Sequence, residues 1–127
     1  MISIAIDGPA SAGKSTIAKQ VAKKLGFIYV DTGALYRAIG YFVATNGGDT
    51  KEKNDILPML LELDVQLKYE NGTQKVFVNG SDVSKEIRTP EMSMNASNVS
   101  AVAEVRTFLL DLQKNLAKNN NVIMDGR

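Results

Sequence analysis

The sequence predicts an α/β protein in which a parallel sheet carries helices on both faces and a small antiparallel unit is inserted to one side. Three observations carry that expectation. An apolar run, Ile2-Ser3-Ile4-Ala5-Ile6, passes through a glycine-rich turn directly into a helical pattern. The apolar period falls to two between Val65 and Val78, around an Asn-Gly pair. A last apolar run, Val122-Ile123-Met124-Asp125, follows a long helical stripe and ends in an acid.

Residues 2–7 are β-branched and apolar up to Asp7, which fits a strand buried on both faces better than a half-exposed one. The helix from Ser15 to Leu25 repeats Ile17, Val21 and Leu25, with Ala18 and Ala22 beside them, and stops at Gly26. Phe27 to Val30 supplies a second strand, so the start of the chain is a strand-helix-strand unit with a right-handed crossover. A second helix is expected from Ala34 to Thr45, ended by Asn46-Gly47-Gly48, and a third from Asp55 to Leu63 with Pro58 near its start.

Val65, Leu67 and Tyr69 alternate with polar residues, as do Val76 and Val78, and Asn71-Gly72 between them predicts a hairpin with a primed turn. A second Asn-Gly at 79 and 80 allows one more short strand through Val83. An antiparallel hairpin does not belong inside a parallel sheet. The expected organisation is therefore a first core part at 1–63, an insertion at 64–99 and a return to the core at 100–127. Thr89-Pro90-Glu91 reads as a helix start, and Ser100 as the cap of a longer helix striped by Val102, Val105, Leu109, Leu112 and Leu116.

The turn after the first strand carries the chemistry. Gly8-Pro9-Ala10-Ser11-Ala12-Gly13-Lys14-Ser15-Thr16 fits the spacing G-x-x-x-x-G-K-[ST]. Its glycines let the backbone N–H groups approach phosphate oxygens, and the helix that follows offers its positive end to the same anion. Lys14 is expected on the β and γ phosphates and the Ser15 hydroxyl on Mg²⁺. Asp31-Thr32-Gly33 leaves the second strand at the carboxyl edge of the sheet, where open α/β folds bind ligands. Arg37, four residues beyond Gly33, is badly placed for the helix dipole and well placed for a phosphate. Arg106 flanks the stripe of the long helix, and Asp125 ends a strand as the acid that orients waters on Mg²⁺ does in phosphate-loop enzymes.

Composition narrows the chemistry. The 127 residues are 44% hydrophobic and 23% charged, enough for one domain with a modest core. With 15 basic against 14 acidic residues the net charge is +1, so an anionic partner must be held by local groups, and nucleic acid binding gains no support. The absence of cysteine excludes disulfides and thiolate metal sites, and no signal or membrane-spanning pattern is present, so a soluble cytoplasmic monomer with no membrane partner is expected. There is also no histidine, so a base acting near neutral pH would have to be a carboxylate or a lysine.

The motifs together resemble the N-terminal part of the bacterial cytidylate kinase family. The resemblance rests on IAIDGPASAGKST, YVDTGALYRA, GSDVSKEIRT, NASNVSAVAEVR and VIMDGR, in the family's order and spanning essentially the whole chain. It implies a phosphate-loop nucleoside-monophosphate kinase core with an acceptor-binding insertion, which transfers the ATP γ-phosphoryl group to CMP or dCMP with Mg²⁺. On matching positions, Gly8 to Thr16 would hold the ATP phosphates, and Lys14, Arg37 and Arg127 would act on the transferring group. Thr32, Arg37 and Arg127 would contact the monophosphate and sugar, Ser97 and Arg106 the cytosine, and Asp125 would lie beside the substrate. Arg88 falls within a matching motif without a definite role. An acceptor monophosphate attacks through an oxygen already anionic at neutral pH, so a histidine-free chain suffices for the transfer.

The family continues past the position of Arg127 into further strands and an arginine-bearing lid, so the chain reads as truncated and, taken alone, as binding ATP with little or no transfer. Two other readings stand beside this one. A kinase of a small hydroxyl substrate would use Asp31 as base, and a non-catalytic module would only bind nucleotide. No N-K-x-D motif supports a guanine-reading protein.

Overall fold

The computed structural model describes residues 1–6 and 14–125, with the side chains of Lys14, Ser15 and Asp125 outside that description. Three strands, β1 (Ser3–Ile6), β2 (Ile28–Val30) and β6 (Val122–Asp125), form a parallel sheet in the order β1-β6-β2. The last strand lies in the middle. Its register pairs Ile6 with Asp125 and Val30 with Met124, so all three strands end at one edge.

Helix α1 (Lys14–Leu25) packs on one face, where Ala18 and Ala22 meet Tyr29 and Ile123. This corrects the predicted stripe, because Ile17 and Leu25 are each 53% exposed. The two alanines win the buried face because their small side chains let the helix backbone approach the sheet closely. Gly26 then ends the helix at φ +73°, with Phe27 N–H donating to Ala22 O at 2.8 Å and Gly26 N–H to Lys23 O at 3.4 Å, a Schellman motif. β1 also departs from expectation. It alternates exposed and half-buried positions, so that among the described residues one of its faces is left uncovered.

The opposite face carries the main core, with Ile28, Val30 and Val122 from the sheet beneath Leu35, Ile39 and Val43 of α2 (Thr32–Thr45). α3 (Lys53–Leu60) begins and ends earlier than predicted and holds Pro58 inside it, where the proline ring removes one helical N–H donor. Then β3 (Val65–Glu70), β4 (Thr73–Val78) and β5 (Ser81–Asp82) form the predicted antiparallel unit. Asn71 and Gly72 both have positive φ, 54° and 76°, as the primed hairpin turn requires. Asn79 and Gly80 repeat the pattern, and Val65, Leu67, Val76 and Val78 point into the main core.

A 3-10 turn at Glu86–Arg88 leads into α4 (Pro90–Ser100), whose Thr89 cap accepts from Met92 N–H at 3.3 Å as the sequence implied. The long helix α5 (Ala103–Asn119) is capped by Val102 and not by Ser100. Ser100 belongs to the end of α4, and its hydroxyl bonds back to Ser97 O at 2.9 Å, an i to i−3 bond within its own helix.

The insertion is fastened to the core at the outer side of β2. The Gln74 side-chain amide accepts from Tyr29 N–H at 2.9 Å and donates to Tyr29 O at 2.7 Å, a two-point clasp across 45 residues of chain. Tyr69 donates its hydroxyl proton to Phe27 O beside it. Burial raises the Tyr69 pKa above its ordinary value, which keeps that donor protonated.

Candidate active site

The glycine-rich turn, residues 7–13, lies outside the described residues, as do Gly126 and Arg127. Its frame is nonetheless in place. β1 ends at Ile6 and α1 begins at Lys14, the strand-turn-helix context that the phosphate-binding spacing requires. Thr16 sits exposed in the first turn of α1. Asp125 reaches the same edge, because it pairs in register with Ile6, the residue before the turn.

Directly across β6, β2 ends at Val30 and α2 begins. Asp31 is the N-cap, with extended backbone (φ −91°, ψ 99°) and Oδ1 accepting from Ala34 N–H at 3.2 Å. The helix therefore starts at Thr32, two residues ahead of the predicted Ala34, and Thr32 and Gly33 form its positive end. The signal was present in the sequence, since an aspartate three residues before the first apolar helical position is a good cap. Capping also gives Asp31 a structural task that the base of a hydroxyl kinase would not need.

Arg37 reaches back toward this helix start, as long side chains on helices do. A Cβ placed on Gly33 would lie 3.4 Å from an Arg37 Nη and 3.3 Å from Asp31 Oδ1, so the guanidinium lies against the bare backbone of Gly33. Its Nε is buried and has no hydrogen-bond partner among the described residues. Leaving a buried donor unmet costs about 1–3 kcal/mol, and more when the group is charged. A cation held at a helix N-terminus, with an unmet donor at the carboxyl edge of a parallel sheet, is built to receive an anion.

The residues predicted to read a base collect at the corner between α4 and α5. Arg106 donates from Nη1 to Ser100 O at 2.8 Å, and the Ser100 hydroxyl donates to Ser97 O, so one chain of bonds links Ser97, Ser100 and Arg106. Ser97 and Arg106 are both exposed. α4 is held close to α2 where a Cβ on Gly40 would fall 2.9 Å from Asn95 Cβ. Thr50, buried in the loop between α2 and α3, fastens α4 to that loop by donating to Asn95 Oδ1 at 3.2 Å and accepting from Asn98 Nδ2 at 3.1 Å. Sequence reasoning missed Gly40, Thr50, Asn95 and Asn98, which set how far Arg37 and Ser97 stand apart. Arg88 points elsewhere: its Nε donates to Ser84 O at 3.0 Å, at the foot of the insertion.

A model of the cytidylate kinase family matches residues 4–127. The chain belongs to the cytidylate kinase family. It is 52% identical over 126 residues to a cytidylate kinase of Caldicellulosiruptor bescii, covering 99% of this chain and 56% of that protein. Against cytidylate kinases of Lactobacillus johnsonii and Oceanobacillus iheyensis the identities are 49% over 127 residues and 47% over 126, with 55% of each relative covered. The chain thus spans about half the length of the curated relatives it matches. The parallel core and antiparallel insertion fit this family, as the sequence motifs implied. No helix among the described residues is long and apolar enough to cross a membrane.

Proposed function

We propose that this chain is the phosphate-binding and acceptor-binding part of an enzyme that transfers the γ-phosphoryl group of ATP to CMP or dCMP. The observation that carries the reading is Arg37, whose buried Nε lacks a partner among the described residues at the start of α2, within the stretch YVDTGALYRA on which the family resemblance rests. In this reading Gly8 to Thr16 grip the ATP phosphates, with Lys14 on the β and γ groups. Thr32 and Arg37 hold the acceptor phosphate, joined by Arg127, and Ser97 and Arg106 face the cytosine. Asp125 stands between the two phosphate sites, at the end of the central strand.

The residues at this edge suit Mg²⁺. Ser15 belongs to the first turn of α1 and Asp125 pairs with Ile6 at the end of β6, so the sequence brings a hydroxyl and a carboxylate, both ligand types for this ion, to one edge of the sheet. When bound, the ion neutralises charge on the donor phosphates. What the chain itself supplies is placement. Arg37 fixes the acceptor phosphate and screens its charge, so that two polyanions approach in line. The attacking oxygen is already ionised, so no side chain need remove a proton.

The test is an ADP-release assay on the full-length protein with CMP, dCMP, UMP, AMP and shikimate as acceptors. Turnover should require CMP or dCMP. Arg37→Met should lower kcat/KM for CMP by about 10²-fold or more, the scale of losing one charge-stabilising group. Its unfolding midpoint should stay level or rise, because the methionine removes the unmet buried donor. Turnover on shikimate alone, or an Arg37→Met enzyme with unchanged CMP kinetics, would sink the reading.

A further inference from the structure

A groove of about 260 Å³ runs along the outer side of β2, between α1 and the antiparallel insertion. Its floor is the clasp between Gln74 and Tyr29. Lys19 and Lys23 overhang it from α1, one helical turn apart, and Arg88 closes it from the 3-10 turn. None of these cations forms an ion pair among the described residues, and Lys19 Nζ stands 5.8 Å from the Tyr29 ring centroid. Asp31 is the single acid among the described residues of the wall, at the end nearest α2.

The charge is locally lopsided. Three cations against one carboxylate share a small concavity, on a chain whose overall net charge is only +1. The Arg88 Nε is spent on Ser84 O, which fixes the plane of the guanidinium and leaves its terminal nitrogens as the donors. A planar guanidinium and two ammonium groups lining one concavity supply donors for several oxyanion groups at once, more than a single carboxylate would use. The volume falls below that of drug-sized pockets, and it accommodates a short phosphate chain.

We propose that this groove is a second anion site, which takes a polyphosphate chain, free or as the tail of a nucleotide, outside the transfer site. The proposal rests on the groove's own residues and not on the acceptor reading. A ligand there bridges α1, which follows the glycine-rich turn, to the insertion, and so favours one arrangement of the two.

Calorimetric titration of the full-length protein, at about 150 mM KCl without magnesium, tests it with two probes, inorganic triphosphate and CTP. Lys14→Ala reports on the glycine-rich turn, and the double variant Lys19→Glu/Lys23→Glu on the groove. Triphosphate binding that survives Lys14→Ala and weakens at least tenfold in the double variant supports the site, with CMP turnover of the double variant showing that it folds. If CTP behaves likewise, the occupant is a nucleotide tail; if only triphosphate does, it is the free anion. Absence of binding, or binding lost in Lys14→Ala, or binding unaffected by the double variant, overturns the proposal.

Discussion

Gly40 sets the spacing of the helices that carry Arg37 and Ser97, so Gly40→Ala measures how tightly that spacing is held. Two effects oppose each other. Alanine in a helix interior is favoured over glycine by about 1 kcal/mol. The added methyl would meet Asn95 Cβ at 2.9 Å, Asn95 C at 3.1 Å and Asn95 O at 3.2 Å, where carbon contacts settle near 3.5–4.0 Å. Two of the three are backbone atoms and cannot rotate away. The helices must part by about half an ångström, and overpacking of this kind costs about 1–3 kcal/mol. Parting them also stretches the bonds of Thr50 to Asn95 and Asn98, each worth about 1 kcal/mol. The clash therefore wins, by about 1–2 kcal/mol, which corresponds to a midpoint of the full-length protein lowered by about 2–8 °C. Urea and thermal unfolding of the full-length protein measure it. Since Arg37 and Ser97 move apart, KM for CMP should rise several-fold while KM for ATP stays put. A variant as stable as the parent or more so would show that helix propensity outweighs the contact, and that the α2–α4 spacing is slack.

The clasp and the insertion edge give two more expectations. Gln74→Leu removes both bonds to Tyr29 while keeping the apolar stem, and should cost about 2 kcal/mol in urea unfolding, with Gln74→Glu no better because its carboxylate faces the Tyr29 carbonyl. Asp82 accepts from the Ser84 hydroxyl and N–H and lies 3.6 Å from Lys75, which together hold its pKa below the ordinary 3.8. A depressed carboxylate favours the folded form above its unfolded pKa and loses that contribution as pH falls through the lower folded value. NMR titration should therefore place the Asp82 midpoint below that of an unfolded peptide, and Ser84→Ala should move it back up.

Much of this was legible where a local pattern has one physical solution. Asn71-Gly72 accepts the positive φ of a primed turn, so the hairpin register followed from it. Gly26 and Thr89 marked helix ends for similarly local reasons. The burial of α1 was misread because periodicity ranks residues by size, while the sheet selected small ones that permit close approach. β1 was expected to be covered on both faces, and its place in the sheet depends on partners that its own sequence does not specify. Ser100 was a plausible cap whose hydroxyl found the Ser97 carbonyl instead. At the site, Arg37 was singled out by its spacing from Gly33 and its chemistry, and Thr32 only through the family resemblance. The Gln74 clasp and the contact of Gly40 with Asn95 could not, because each joins residues 45 or more positions apart with no repeating signal.

The central position of β6 governs the order in which the chain can be completed during synthesis. β1 and β2 are made within the first 30 residues, yet among the described residues each finds its ladder partner in residues 122–125. The hairpin, closed by a local turn, has no such wait. On the ribosome the peripheral unit is thus free to assemble while β1 and β2 stand apart, and the four residues of β6, emerging after it, join those two segments into one sheet.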